Sequence, residues 1–447
     1  MRFNRFIFLT LAAGLLIEPI GTQAAKLRTI YSFCSQSGCT DGKEPSAGLV
    51  MDGPGNLFGT ALFGGDSGVG TVFQLIPNAR KTKWKYKRLY SFCAQPSCAD
   101  GSDPQAALII DNAGGLYGVT MAGGSNDGGV AYKLTPNAKH TKWTFSVLYS
   151  FCALGDCIDG RGPQANLSYA GRDSGIPYDG SSPLYGTASQ AGAHKQGVVF
   201  MLTPGGSQWS EQVLYDFCSQ NGCADGADPV AGVTVGASGS LFGTTYGGGA
   251  DNSGTIFELS STGGRFTRRT TTQTVLHSFC SSANCADGAF PAAALHIDSE
   301  GNLLGTTFGG GHKGSHCIDI GVSGCGTAFK LVPNGEASRE TVLYDFCSRM
   351  NCSDGGYPLA GLLIDPSGGI FGATLYGGMK DPTPGAGTLF DLDGSEKALH
   401  RFCTGENCPD GVEPEGDLIT DGSGNLFGTN LFLGANGDGG TVFELTP

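Results

Sequence analysis

The sequence predicts an all-β fold: a seven-bladed β-propeller of four-stranded antiparallel blades, the last blade completed by the N-terminal strand. Three observations carry that expectation. First, a cysteine-loop unit recurs seven times at intervals of roughly 60 residues. Its first copy is Phe33-Cys34…Cys39…Asp41-Gly42 and its last is Phe402-Cys403…Cys408…Asp410-Gly411. Second, four short apolar runs separated by Gly, Pro and Asn turn signals lie between copies, and none keeps a helical period. Third, the chain opens on a lone fourth strand, residues 28–33, and closes on a third strand, residues 441–445. The first strand can therefore complete the last blade and close a ring without free edges. A β-solenoid would gain nothing from that permutation and would need caps, which the sequence does not suggest.

Each element of the unit follows in order. A proline comes after every cysteine loop: Pro45, Pro104, Pro163, Pro229, Pro291, Pro358 and Pro414. An apolar run such as 47–51 and an Asp-x-x-Gly turn such as 52–55 come next. The chain then re-enters an aromatic strand, Leu57-Phe58-Gly59-Thr60, echoed at Leu241-Phe242-Gly243-Thr244 and Leu426-Phe427-Gly428-Thr429. Two apolar runs joined by a short turn make a hairpin. A glycine-rich loop (64–68), a third strand (71–75) and a fourth (88–92) finish the unit. With the run after the proline innermost, cysteine loops and glycine loops share one face of the ring.

Composition sets the compartment. The chain has 447 residues, 75 of them glycine, with 40% apolar and 15% charged. That is enough apolar material for a core. Arg2 and Arg5, an apolar run from Phe6 to Ile17 and Thr22-Gln23-Ala24 read as a signal peptide over residues 1–24, leaving 25–447 as one repeat domain. No later stretch is apolar enough to span a membrane. All 16 cysteines fall into local pairs: Cys34–Cys39, Cys93–Cys98, Cys152–Cys157, Cys218–Cys223, Cys280–Cys285, Cys317–Cys325, Cys347–Cys352 and Cys403–Cys408. An even count in an exported chain points to disulfides, each worth roughly 2 kcal/mol in the loop-entropy picture. A secreted, periplasmic or cell-surface monomer is expected. A net charge of −13 argues against nucleic-acid partners. Basic residues cluster at 80–88 and 139–142, where lysines would blunt exposed edge strands.

The motifs Leu-Tyr-Ser-Phe, Asp-Gly, Pro-x-Ala-x-Leu, Gly-Asn-Leu-Phe-Gly-Thr and Gly-Thr-Val-Phe-x-Leu, running from residue 28 to 447, resemble the GloVer tandem-repeat family of exported bacterial choice-of-anchor proteins. The phase is similar, more loosely, to NHL-type propellers. The resemblance implies an exported propeller-like repeat protein and carries no catalytic residues over. Because the sequence ends at Pro447 without the family's C-terminal anchor, tethering by such an anchor is not expected.

Three groups of residues could carry chemistry. Asp41, Asp100, Asp159, Asp225, Asp287, Asp354 and Asp410 could together hold a structural calcium ion, which takes oxygen ligands; equally, each Asp-Gly makes a turn whose carboxylate bonds nearby amides. No other cofactor is expected. Phe63, Tyr246, Phe308, Tyr376 and Phe432 precede the glycine pairs, with Ala122 and Ala191 at that place in the second and third copies. These rings could stack on sugars or pack beneath the cysteine loops. His312 and His316, inside the Cys317–Cys325 insertion, have a metal-like spacing but no helix to set them on one face.

No nucleophile elbow, phosphate loop or zinc-helix motif is present. The expected role is a binding or scaffold module for a glycan or another extracellular surface component. A polysaccharide lyase or hydrolase would need carboxylates found in one copy only. Asp156, Arg161, Arg172, Asp173, Glu413 and Glu415 are the charged one-copy residues expected on the loop face. A purely structural envelope protein is the third reading.

Overall fold

Strand β1 (Lys26–Ser32) pairs antiparallel with Thr441–Thr446, so the beginning and the end of the chain share one sheet. The computed structural model describes residues 25–446 apart from 206–207, 263–265, 268–269, 312–316, 318–323, 336, 379–384 and 393–395. The expected leader and the His312 and His316 pair lie outside the described residues.

The first blade contains β2 (Val50–Met51), β3 (Leu57–Ala61), β4 (Thr71–Pro77) and β5 (Trp84–Ser91), paired in that order. Six of the seven sheets have this four-stranded, meandering order, and together they form a seven-bladed β-propeller. The third blade has three strands, Leu184–Ala188, Val198–Gly205 and Gln208–Asp216. Its inner position is held only by an isolated bridge from Ser168 to Tyr185. The reason is an insertion after it, where Tyr178 bridges instead to Asp111 of the second blade.

The repeated Leu-Phe-Gly-Thr has a physical cause for each of its last two residues. A Cβ on Gly59 would lie 2.6 Å from Phe73 Cζ and 3.0 Å from Leu49 Cδ2. Only glycine lets the third-strand ring cross the second strand. The threonine hydroxyl binds the next blade: Thr60 donates to Ala106 O at 3.1 Å, Thr244 to Ala293 O at 3.2 Å and Thr306 to Ala360 O at 3.1 Å. Thr429 does the same to Ala47 O at 2.9 Å, joining the seventh blade to the first. Aromatic contacts repeat this blade-to-blade logic, with Trp84 against Phe427, Trp143 against Phe58 and Trp209 against Tyr117.

The eight expected disulfides are all formed. Among the described residues, no helix is long and apolar enough to cross a membrane.

The centre of the ring is set by the residue three places after each proline: Gly48, Ala107, Asn166, Gly232, Ala294, Gly361 and Asp417. Five are small. Asn166 and Asp417 occupy the middle and bond each other, Nδ2 to Oδ2 at 3.1 Å. Asn166 also accepts from the Ala107 amide at 2.6 Å, and Asp417 from the Gly361 amide at 2.8 Å. Four blades are thus tied across the axis by one side-chain pair.

Candidate binding site at the mouth of the channel

The seven motif aspartates serve their own loops. Asp225 is fully buried and accepts from the Ser219 amide at 2.9 Å, the Ser219 hydroxyl at 2.7 Å, the Gln220 amide at 3.2 Å and Tyr215 Oη at 2.7 Å. Asp41, Asp100, Asp159 and Asp354 repeat the arrangement with Tyr31, Tyr90, Tyr149 and Tyr344. Asp287 and Asp410 take His277 and His400 in the tyrosine's place. Among the described residues, no group of these carboxylates comes close enough to share an ion; the one such cluster is Cys317, Cys325 and Cys347, all in disulfides.

A different set of seven residues occupies one equivalent place in every blade, beside the cysteine and glycine loops. The residue immediately before each proline has its amide bonded to the preceding blade's glycine loop and its carbonyl bonded to the residue after the second strand. Asp103, for example, donates to Val69 O and accepts from Met121, while Phe290 donates to Ser253 O and accepts from Phe308. The ring reads Glu44, Asp103, Gly162, Asp228, Phe290, Tyr357 and Glu413, with φ between 53° and 68°. Six non-glycine residues in the left-handed region at equivalent places mark a position where strain is held by the surrounding fold.

This ring is divided. Carboxylates come from the seventh, first, second and fourth blades, and aromatic rings from the fifth and sixth. The next residue along, just after each proline, is polar in the seventh, first, second and third blades (Glu415, Ser46, Gln105 and Gln164) and apolar in the fourth, fifth and sixth (Val230, Ala292 and Leu359), so the two rings differ at the fourth blade, where Asp228 is followed by Val230. Burial, then the charges of Glu413 and Glu44, push the Glu415 carboxyl up to about 7. Burial also raises Glu413, and burial together with Asp127 raises Asp103. The aromatic side has two groups of rings: Tyr246 stacks on Phe290 at 5.0 Å, and Phe308 leans on Tyr357 at 5.1 Å, with Tyr357 meeting Tyr376 edge-on at 5.9 Å. The two sides meet at Tyr376, whose hydroxyl is raised by burial and then by Glu413 and Glu415.

The structure therefore regroups the residues singled out in the sequence. Phe63, Tyr376 and Phe432 occupy one register, opposite Lys43, Gly356 and Val412. Tyr246 and Phe308 do not share it, because Gly247 and Gly309 stand there. They sit one residue earlier, at the level of Leu62 and Leu375. A one-residue shift turns a side chain to the other face. Phe63 is 39% exposed, and among the described residues neither it nor Phe432 has a ring partner. Glu413 and Glu415 come together as a pair, and Glu44, Phe290 and Tyr357 join the site although sequence reading passed over them. Aligning the copies on the proline rather than on the glycine pair would have found all three. Asp156 is exposed in its cysteine loop, and Arg161 pairs with Asp127 at 3.2 Å on the rim. Arg172 and Asp173 lie in the third-blade insertion at the opposite end of the ring, where Asp173 accepts from the Ile297 amide at 3.3 Å. Their expected place on the loop face is corrected, because the insertion follows the inner position and not the cysteine loop.

Titration of a second buried set has a consequence for stability. Tyr86, Glu211, Gln273 and Glu340 occupy one register on the outer strands. Tyr86 Oη donates to Asp41 O at 2.5 Å and Gln273 Nε2 to Asp225 O at 3.1 Å, so the position calls for a donor. A protonated carboxyl offers one. Burial, then Asp159 and Asp216, raise Glu211 to about 8; burial, then Asp287 and Asp345 against His277, raise Glu340 to about 7. The folded form then holds protons that the unfolded chain releases above its ordinary value of 4.5, so stability falls as pH rises from there to about 8. For Asp287, burial alone would raise the carboxyl, but His277, Ser281 and the Ser282 amide outweigh it and bring it to about 2. That contribution is lost as pH falls from 3.8 towards 2. The melting temperature is expected to peak near pH 4–5 in scanning calorimetry, and Glu211→Gln to flatten the alkaline slope.

Fold and site define a closed seven-bladed propeller with one asymmetric mouth. The chain belongs to the Gloeobacter/Verrucomicrobia repeat family, whose model matches residues 16–178 and 168–318. A search of curated proteins finds no match. Among solved structures, the chain is similar to the extracellular domain of a protein assigned as a hybrid two-component system from B. thetaiotaomicron, with TM-score 0.49, 13% identity and coverage of 94% of this chain and 41% of that one. It spans less than half of that structure's length. A Trypanosoma rangeli sialidase in complex with sialic acid gives TM-score 0.43 at 10% identity, covering 95% and 59%. A gluconolactonase from Xanthomonas campestris gives 0.38 at 12%, covering 94% and 89%.

Proposed function

We propose that the protein is an exported, monomeric binding module that engages a glycan at the mouth of the channel. The observation that carries this reading is the division of the mouth. Phe290, Phe308 and Tyr376 form an apolar wall backed by the buried Tyr357, and Glu44, Glu413 and Glu415 stand beside it. Sugars present just such a pair of surfaces: C–H faces that pack on rings, and hydroxyls that donate to carboxylates. Repeated loops alone would make seven equal sectors; this mouth has one. Eight disulfides fit an oxidising compartment. A thermal-melt screen against neutral and charged polysaccharides tests the reading, since a ligand of the folded state raises the melting temperature by mass action. A saccharide-dependent rise is expected, and its absence across the panel would reject the proposal.

A hydrolase is the second reading, favoured by one observation. Burial and the charges of Glu413 and Glu44 raise the Glu415 carboxyl to about 7, the direction of shift that a general acid beside a second carboxyl needs. Release of reducing ends by the wild type, abolished in Glu415→Gln, would establish it. Binding without release leaves the module.

A further inference from the structure

The acidic chain carries a concentrated basic surface on its first two blades, and the mouth does not account for it. No Asp or Glu occurs between Asp66 and Asp100, or between Asp127 and Asp156, while Arg80, Lys81, Lys83, Lys85, Lys87, Arg88, Lys139 and Lys142 fall in those gaps. Two hairpins repeat almost the same eight residues, Pro77-Asn78-Ala79-Arg80-Lys81-Thr82-Lys83-Trp84 and Pro136-Asn137-Ala138-Lys139-His140-Thr141-Lys142-Trp143. Both are fixed in one shape. Asn78 Oδ1 accepts from the Thr82 and Lys83 amides at 2.8 and 3.3 Å, and Asn137 Oδ1 from the Thr141 and Lys142 amides at 2.9 and 3.2 Å. Lys81 and His140 have the same φ of 51°. Lys87 Nζ reaches His140 O at 3.2 Å and Thr141 O at 3.3 Å, so the two hairpins are neighbours on one ridge. Arg80, Lys83, Lys85, Lys139 and Lys142 are exposed on it.

Blunting of edge strands explains Lys85 and Lys87, which lie on β5. It does not explain charges at the tips of turns. Nor do the outer strands Gln208–Asp216, Thr271–Ser278 and Arg339–Asp345 carry runs of this kind.

We infer that this ridge binds an anionic polysaccharide, at the end of the ring opposite the mouth. Rigid, evenly repeated cations match a polymer whose charges recur along an extended chain, and a polymer bound there leaves the mouth free. A membrane fits less well, because Trp84 and Trp143 turn inward onto Phe427 and Phe58 and leave no ring at the tips to enter a bilayer. The test is titration of the folded, oxidised protein with polygalacturonate at pH 7.5, in parallel with neutral dextran and phosphatidylglycerol vesicles. Saturable binding to polygalacturonate alone is expected, weakening as salt rises. The variant Arg80→Gln/Lys83→Gln/Lys139→Gln/Lys142→Gln is expected to lose at least tenfold in affinity at an unchanged melting temperature, while Tyr376→Ala keeps it. Equal affinity in the fourfold variant, loss in Tyr376→Ala, or binding to vesicles rather than polymer would overturn the inference.

Discussion

A protein lacking residues 26–32 is expected to lose cooperative unfolding, because the seventh blade has no other outer strand. β1 fills that place with a full ladder to Thr441–Thr446, and Arg28 pairs with Glu444 and donates to Lys81 O of the first blade at 2.7 Å. Leu27, Ile30 and Tyr31 pack into the cores on either side. Burial of three such side chains is worth about 2 kcal/mol each, against a total stability of roughly 5–15 kcal/mol. Calorimetry on the truncated chain should show a broad, lowered transition, and a synthetic peptide of residues 26–34 should sharpen it. A transition as sharp and as high as that of the intact protein would mean that the ring is held by something other than its closing strand.

Asp225→Ala is expected to be the most damaging single change in a cysteine loop. The fully buried carboxylate answers two amides and two hydroxyls, and its loss removes the acceptor they share, leaving Tyr215 and Ser219 only their bond to each other at 3.0 Å. The cost should be about 3 kcal/mol or more, read as a lower guanidinium midpoint at unchanged slope. Asp225→Asn keeps the shape and half of the acceptor capacity, and should lie between. The same loops hold both cysteines of every five-residue pair at φ between 41° and 63°, which a reduced chain has little reason to keep. If Asp225→Ala melted with the wild type, the aspartates would not be what orders these loops. The bonding pattern also predicts that EDTA leaves the melting temperature in place.

Much of this fold could be read from the chain. Seven copies of one loop gave the number of blades, and the unmatched strands at either end gave the closure, since a missing fourth strand and a spare one are complementary. The Gly-Thr pair was visible too, although its reason needed the structure: Gly59 makes room for Phe73, and Thr60 reaches into the next blade. The site was harder. The residue before each proline changes from copy to copy, and that variation is its meaning. The extra glycines Gly247 and Gly309 moved Tyr246 and Phe308 out of register with Phe63, so of the five aromatics seen in the sequence only Tyr246, Phe308 and Tyr376 meet Phe290 and Tyr357, while Phe63 and Phe432 stand apart. Glu413 and Glu415 could be singled out in the chain, but the burial that raises Glu415 and the added charge of Glu44 come from the fold.

The measurement that bears most directly on the mouth is a calorimetric titration of an oligosaccharide chosen from the thermal screen, with wild type and with Phe308→Ala/Tyr376→Ala. Both side chains are half-buried at the surface of the fold, so the variant should stay folded and keep its binding to polygalacturonate. Loss of oligosaccharide binding by about tenfold or more, with the fold and the ridge intact, is the predicted result. Undiminished binding in the variant would contradict the account and place the ligand elsewhere on the ring.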